Sequence, residues 1–190
     1  ITPARRPADS SIMSSPEKKP SRLIKRVAFL LLGVLFAARG TAAVKEGDVF
    51  PRLDPAELRV LAGGTFPETA GKVVLVDFWA SWCAPCKASF PMMAKLHRDL
   101  ASRGLVVVAV GIDEKAAAAD AFVKKLSPVF PTVHDQGQNL VKKVEVPTMP
   151  TSFLLGRDGK VRFIHEGFHG DRTESELRRQ IETLLADAKS

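Results

Sequence analysis

VDFWASWCAPCK, Val76 to Lys87, joins the end of an apolar run to a pair of cysteines with two residues between them, and the 190-residue chain has no others. The run Val73 to Phe78 is almost continuously apolar, as expected of a central strand covered on both faces. From Cys83 to about Ser102, Phe90, Met93, Leu96 and Leu100 recur at helical spacing, which predicts a helix kinked at Pro91. Two thiols so placed can close a small disulfide ring. A helix starting there would lower the thiolate pKa of the first by aiming unpaired backbone N–H groups at it. An inert crosslink across so short a loop would stabilise almost nothing, so the pairing points to thiol–disulfide exchange.

Outward from this stretch, Leu105 to Ile112 reads as a second buried strand and Lys115 to Leu126 as an alanine-rich helix with Phe122 and Leu126 on one face. Ser152 to Leu155 and Lys160 to His165 predict two strands joined by the turn Gly156 to Gly159. Thr173 to Ala188 predicts a closing helix capped at Asp171 or Thr173, with Leu177, Ile181, Leu184 and Leu185 turned inward. Upstream, Asp54 to Leu61 reads as a short helix or turn, and Gly63-Gly64 breaks the chain. The sum is an α/β domain of three layers, a mixed central sheet flanked by helices. Right-handed crossovers would put the start of the first helix at the carboxyl end of the Val73 to Phe78 strand, with Cys83 at an exposed edge.

The opening residues carry a different message. Lys18, Lys19, Arg22, Lys25 and Arg26 precede the apolar run Val27 to Ala38 and the small residues Thr41, Ala42 and Ala43, the layout of a secretory signal cleaved after Ala43. The alternative is an uncleaved membrane anchor, although a span needs about 20 apolar residues. Ile1 to Pro20, rich in Pro, Ser and charge, predicts disorder. The expected organisation is therefore a leader with signal peptide or anchor over 1–43 and one domain over 44–190. Of the net charge of +7, residues 1–43 hold +6. The remainder is nearly neutral, which removes the electrostatic case for nucleic-acid binding.

With these residues in view, the chain is identified as resembling the thioredoxin superfamily. Val76 to Lys87 and Met149-Pro150-Thr151 carry that resemblance. The apparent export signal, Gly111 to Glu114, Lys115 to Val144 and FLLGRDGKV at Phe153 to Val161 make it similar to the TlpA/ResA-like thioredoxins of the bacterial periplasm, over roughly Val44 to Leu185. The resemblance implies a thioredoxin-like fold in which Cys83 attacks a partner's disulfide and Cys86 resolves the mixed disulfide. It implies that Trp82 offers an apolar contact surface with Trp79 packed beneath, and that Ala84-Pro85 holds the turn between the thiols. Met149-Pro150 resembles the cis-proline loop that would bind a peptide partner through the Met149 backbone.

Asp77 interrupts the apolar strand, where a carboxylate must be hydrogen-bonded or protonated. In cytoplasmic-type thioredoxins an acid at the matching position assists proton removal from the resolving cysteine, and Asp77 is expected to do so for Cys86. TlpA/ResA-like proteins more often have Asn there and a glutamate shortly after the second cysteine, where this chain has Ser89 and Phe90.

Ala84-Pro85 sets no charged neighbour beside Cys83, so a reducing or intermediate potential is expected. The leading reading is a reductase acting on cysteine-containing exported proteins, such as apocytochrome c or copper-site proteins, and re-reduced by a membrane thiol donor. It would work in the periplasm, either secreted or anchored to the inner membrane facing it. The alternatives are a periplasmic disulfide oxidase or isomerase, and a thioredoxin-fold binding module or metallochaperone. No cofactor beyond the redox-active Cys83–Cys86 disulfide and no metal is expected, since His97, His134, His165 and His169 are scattered in sequence. Lys87, Asp113, Glu114 and Gly167-Phe168 are weaker site candidates.

Overall fold

A computed structural model describes residues 43–187, within the unit Thr41–Ser190. The expected leader and its signal or anchor lie outside the described residues, apart from Ala43. The described chain forms a six-stranded sheet in the order β1-β4-β3-β2-β5-β6. Its strands are β1 (Leu58–Ala62), β2 (Val73–Trp79), β3 (Leu105–Gly111), β4 (Thr132–Asp135), β5 (Thr151–Leu155) and β6 (Val161–Glu166). The helices are α1 (Ala84–Leu100), α2 (Ala116–Leu126), α3 (Asn139–Val144) and α4 (Asp171–Ala186). The pairs β2/β3 and β3/β4 are parallel, while β1/β4, β2/β5 and β5/β6 are antiparallel, so the sheet is mixed. The three-layer thioredoxin-like architecture read from the sequence is borne out.

The central strand explains itself. Every residue of β2 is buried, and alternation sends its side chains into two separate cores. Val73, Leu75 and Trp79 pack with residues of α1, α2 and α4, while Val74, Val76 and Phe78 pack with α3 and with Phe50 and Leu53. On the first face Trp79 stacks on Phe122 at 4.5 Å and meets the edge of Phe90 at 5.7 Å. Burying one such ring contributes roughly 1.5–3 kcal/mol, so this cluster pins α1 and α2 to β2. Gly111 makes room for it, because a Cβ there would lie 2.7 Å from Trp79 Cζ2.

Several local expectations need correction. Asp54 to Leu61 is not a helix. After a turn the chain enters β1, where Leu58 is buried and Arg59 is exposed and bonded to Asp120, a two-residue alternation too short to distinguish from a helical turn by pattern. Within Lys115 to Val144 the structure adds β4 and α3, elements of four and six residues whose apolar runs are too brief to announce a period. α1 ends at Leu100, where a 3-10 turn over Ala101–Arg103 takes over, rather than running to about Ser102. Gly170, not Asp171 or Thr173, is the N-cap of α4, while the Thr173 hydroxyl oxygen accepts from the His169 N–H.

Candidate active site

Cys83 caps α1, with extended backbone angles that turn the chain from the loop after β2 into the helix. Its Sγ accepts a hydrogen bond from the Cys86 N–H at 3.1 Å, one of the donors a helix start leaves unpaired. Cys83 and Cys86 are joined by a disulfide. Cys83 is 5% exposed and Cys86 fully buried, so only the first sulfur has a path to a partner. Cys83 is thus less open than the expected exposed edge, yet it remains the outer member of the pair. The first turn of α1 has no acidic residue, which leaves the helix dipole free to favour a Cys83 thiolate in the reduced state. Pro85 in that turn lacks an N–H that the helix does not need there.

The loop before the cysteines is tied to the end of β3. Asp113 is buried and accepts from the Ser81 N–H at 3.0 Å and the Ser81 hydroxyl at 2.6 Å. The Ile112 N–H donates to the Trp79 carbonyl at 3.0 Å. Behind this clamp His134 Nε2 donates to the Asp113 carbonyl at 2.7 Å, and Gln138 Nε2 donates to the Ile112 carbonyl at 2.9 Å. Held from below, Trp82 stands 71% exposed.

Facing Trp82 is the segment 146–149. The Met149–Pro150 peptide is cis, and the loop is stitched by Thr151 Oγ1 donating to the Thr148 carbonyl at 2.8 Å and by the Gly167 N–H donating to the Pro150 carbonyl at 2.8 Å. Between the walls lies a cleft of about 510 Å³, bounded by Trp82, Cys83, Ala84 and Pro85 on one side and Val146, Pro147, Thr148 and Met149 on the other. The structure therefore brings Trp82, Cys83, Ala84, Pro85 and Met149 to one opening, with Pro150 just behind it. Gly167 joins as a support, whereas His97, His165 and His169 do not line this cleft.

Asp77 lies between Leu75 and Trp79 on β2, so it turns toward the core half that contains Cys86. It is 1% exposed. Burial pushes its carboxyl up to about 7, partly offset by the hydroxyl of Ser152, which donates to Oδ1 at 2.5 Å. Oδ2 has no hydrogen-bond partner. Ser152 and Ser81 escaped the sequence reading because nothing local marks them. The signal for Ser152 lies in strand register, since the antiparallel β2/β5 pairing sets Asp77 opposite Ser152.

Among the described residues no group of three or more His, Cys, Asp or Glu is placed to hold a metal ion, and no helix is long and apolar enough to cross a membrane. What the cleft offers chemically is a two-electron dithiol/disulfide couple at a helix start, an apolar wall, and a buried carboxyl able to hold a proton near neutral pH.

Residues 65–181 match the Redoxin family. The chain belongs to that family. Among its relatives, the thiol-disulfide oxidoreductase ResA of Bacillus subtilis (strain 168) is 32% identical over 142 residues, covering 73% of this Redoxin chain and 76% of the relative. ResA of Bacillus thuringiensis subsp. konkukian (strain 97-27) is 35% identical over 114 residues, or 60% of this chain, and the match spans 64% of that relative's length. A solved structure from Chlorobium tepidum, assigned as a thiol:disulfide interchange protein DsbE, is 34% identical with a TM-score of 0.66, over 76% of this chain and 100% of its own. The resemblance carried by WCAPC and Met149-Pro150-Thr151 is borne out, and this Redoxin protein is a TlpA/ResA-like member of the thioredoxin superfamily.

Proposed function

We propose that the protein is a thiol–disulfide oxidoreductase whose Cys83/Cys86 dithiol reduces disulfides in exported, cysteine-containing proteins, with its domain over 44–190 facing the periplasm. The observation that carries this reading is the Cys83–Cys86 disulfide at the start of α1, with one sulfur reachable from the cleft and the other sealed. The relatives named ResA and DsbE support the same class of chemistry.

In the reductive direction the Cys83 thiolate attacks one sulfur of the partner's disulfide. A Cys83–partner bond forms, the partner's S–S bond breaks, and the departing thiolate takes a proton from solvent. Cys86 then gives its proton to Asp77, and its thiolate attacks Cys83 Sγ. The Cys83–Cys86 bond forms, and the second partner sulfur leaves as a thiolate and is protonated. Two electrons have passed from the dithiol to the partner. Trp82, Ala84 and Pro85 shape one wall for the incoming chain, and the Met149 backbone beside Pro150 offers strand-like hydrogen bonds on the other. A disulfide left after each turnover requires a thiol donor, and an exported location assigns that task to a membrane protein. Disulfides in cytochrome c or copper-site maturation are the substrates this reading favours, with the leader acting as signal peptide or inner-membrane anchor.

The test is the reduction potential of the couple, equilibrated against glutathione or dithiothreitol and read by thiol trapping. A value near about −250 mV or lower supports the reductase, and one near about −120 mV assigns the protein to the oxidants instead.

A further inference from the structure

Asp77 and Ser152 sit opposite each other in the β2/β5 register, and the Ser152 hydroxyl donates to Asp77 Oδ1. On the other side of β2 the register partner of Asp77 is Ala109, which has no polar side-chain atom. Both Asp77 and Ser152 are buried. The two carboxylate oxygens are therefore unlike: Oδ1 is engaged, and Oδ2 is sealed from solvent without a partner. A buried polar atom left open in this way is costly unless it has a task in another chemical state of the protein. With the thiols reduced, the same core half contains a Cys86 proton that must leave before the second exchange step.

We propose that Ser152 is a positioning residue for exchange, holding Asp77 by Oδ1 so that Oδ2 is the atom that receives the Cys86 proton. The inference rests on the reductase reading above and extends it to a residue outside the cysteine motif and the cis-proline pair. In the step it describes, the Cys86 S–H bond breaks and an Oδ2–H bond forms. The Cys86 electron pair attacks Cys83 Sγ, and the pair of the breaking mixed disulfide leaves with the partner's sulfur. Ser152 keeps its proton throughout. Loss of its hydroxyl frees the carboxyl to rotate and removes the donor that stabilises its charged form. Asp77 then ionises at higher pH.

Among the titratable groups on elements that pack against this face are Cys83, Cys86 and His97 from α1, His134 from β4, His165 from β6 and Glu174, Glu176 and Glu182 from α4, while Lys87, Lys95, Arg98 and Asp99 of α1 and Asp120, Lys124 and Lys125 of α2 are exposed. His165 lies opposite Ser152 in the β5/β6 register and is bonded to Gln180, and Glu176 is bonded to Gln180 as well. The causes that displace Asp77 are burial and Ser152, with no charged neighbour contributing.

The test compares the isosteric variants Ser152→Thr and Ser152→Val, which fill the strand alike and differ in the hydroxyl, with the wild-type chain. Turnover of a protein disulfide and the carboxyl titration of Asp77, followed by NMR, are both measured from pH 5 to 9. Val is expected to move the titration and the rising limb of kcat/KM up by about one pH unit, a loss of about five-fold at pH 7 that closes at high pH. Thr restores both. In an Asp77→Asn background, Ser152→Val leaves the pH profile unmoved. Coincident profiles for Val and Thr, or a loss of equal size at every pH with the titration in place, overturn the role of Ser152. A wild-type chain that turns over no protein disulfide overturns the exchange reading itself, whatever the Asp77 titration shows.

Discussion

Replacing Asp77 by Asn keeps the shape of a side chain that is 1% exposed and removes its charge. In the folded chain burial raises the carboxyl from the ordinary 3.8 to about 7. The folded state thus binds this proton more tightly than the unfolded state does. Its contribution to stability is fully present below about pH 4 and is lost as pH rises toward 7. Between pH 5 and pH 8 about two pH units of that difference are surrendered, which converts to about 2–3 kcal/mol. The assay is urea unfolding of the oxidised wild-type and Asp77→Asn proteins at the two pH values, comparing midpoints at constant slope. Other titrating groups are common to both proteins and cancel. Asp77→Asn is expected to gain on the wild type by about 2–3 kcal/mol on going from pH 5 to pH 8. A stability gap that stays constant across this range would refute the assignment of a proton to buried Asp77. A gap that moves the other way would mean that the carboxylate is stabilised by the fold.

Four further outcomes follow from the same geometry. Cys86→Ser is expected to accumulate a mixed disulfide between Cys83 and its partner, visible by non-reducing electrophoresis, while Cys83→Ser abolishes exchange. Trp82→Ala removes an exposed side chain, so thermal stability should change by less than about 0.5 kcal/mol, while kcat/KM for a protein disulfide falls and that for a small disulfide is retained. Gly111→Ala drives a methyl group against the Trp79 ring, at 2.7 Å from Cζ2 before relaxation, and should cost about 1–3 kcal/mol in chemical denaturation.

The long buried strands were legible because continuous apolar runs and a helical period identify themselves locally, as in Val73 to Phe78 and in Phe90, Met93, Leu96 and Leu100. The cysteine pair was legible for the same reason, its chemistry being written in adjacent residues. β1, β4 and α3 were not, because four to six residues sample too little of either period. Asp77 stood out in sequence as a charge in an apolar run. Its partner Ser152 lies 75 residues away and becomes meaningful only once β5 is aligned with β2. Asp113 reads as an ordinary strand-end acid until the loop after β2 folds back and presents Ser81 to it. The α4 cap was misplaced because Asp171 and Thr173 are both good capping residues, and the backbone turn at Gly170 decides between such neighbours.

The two walls of the cleft are fastened to different strands. Trp82 depends on the end of β3 through Ser81 and Asp113, and Met149 leads into β5 through Pro150 and Thr151. β2 alone lies between those strands. The strands behind the two walls are therefore separated by two interstrand spacings, about 9.5 Å from backbone to backbone. The sheet thus acts as a calliper, setting the strands from which the two walls are hung at a fixed distance from each other.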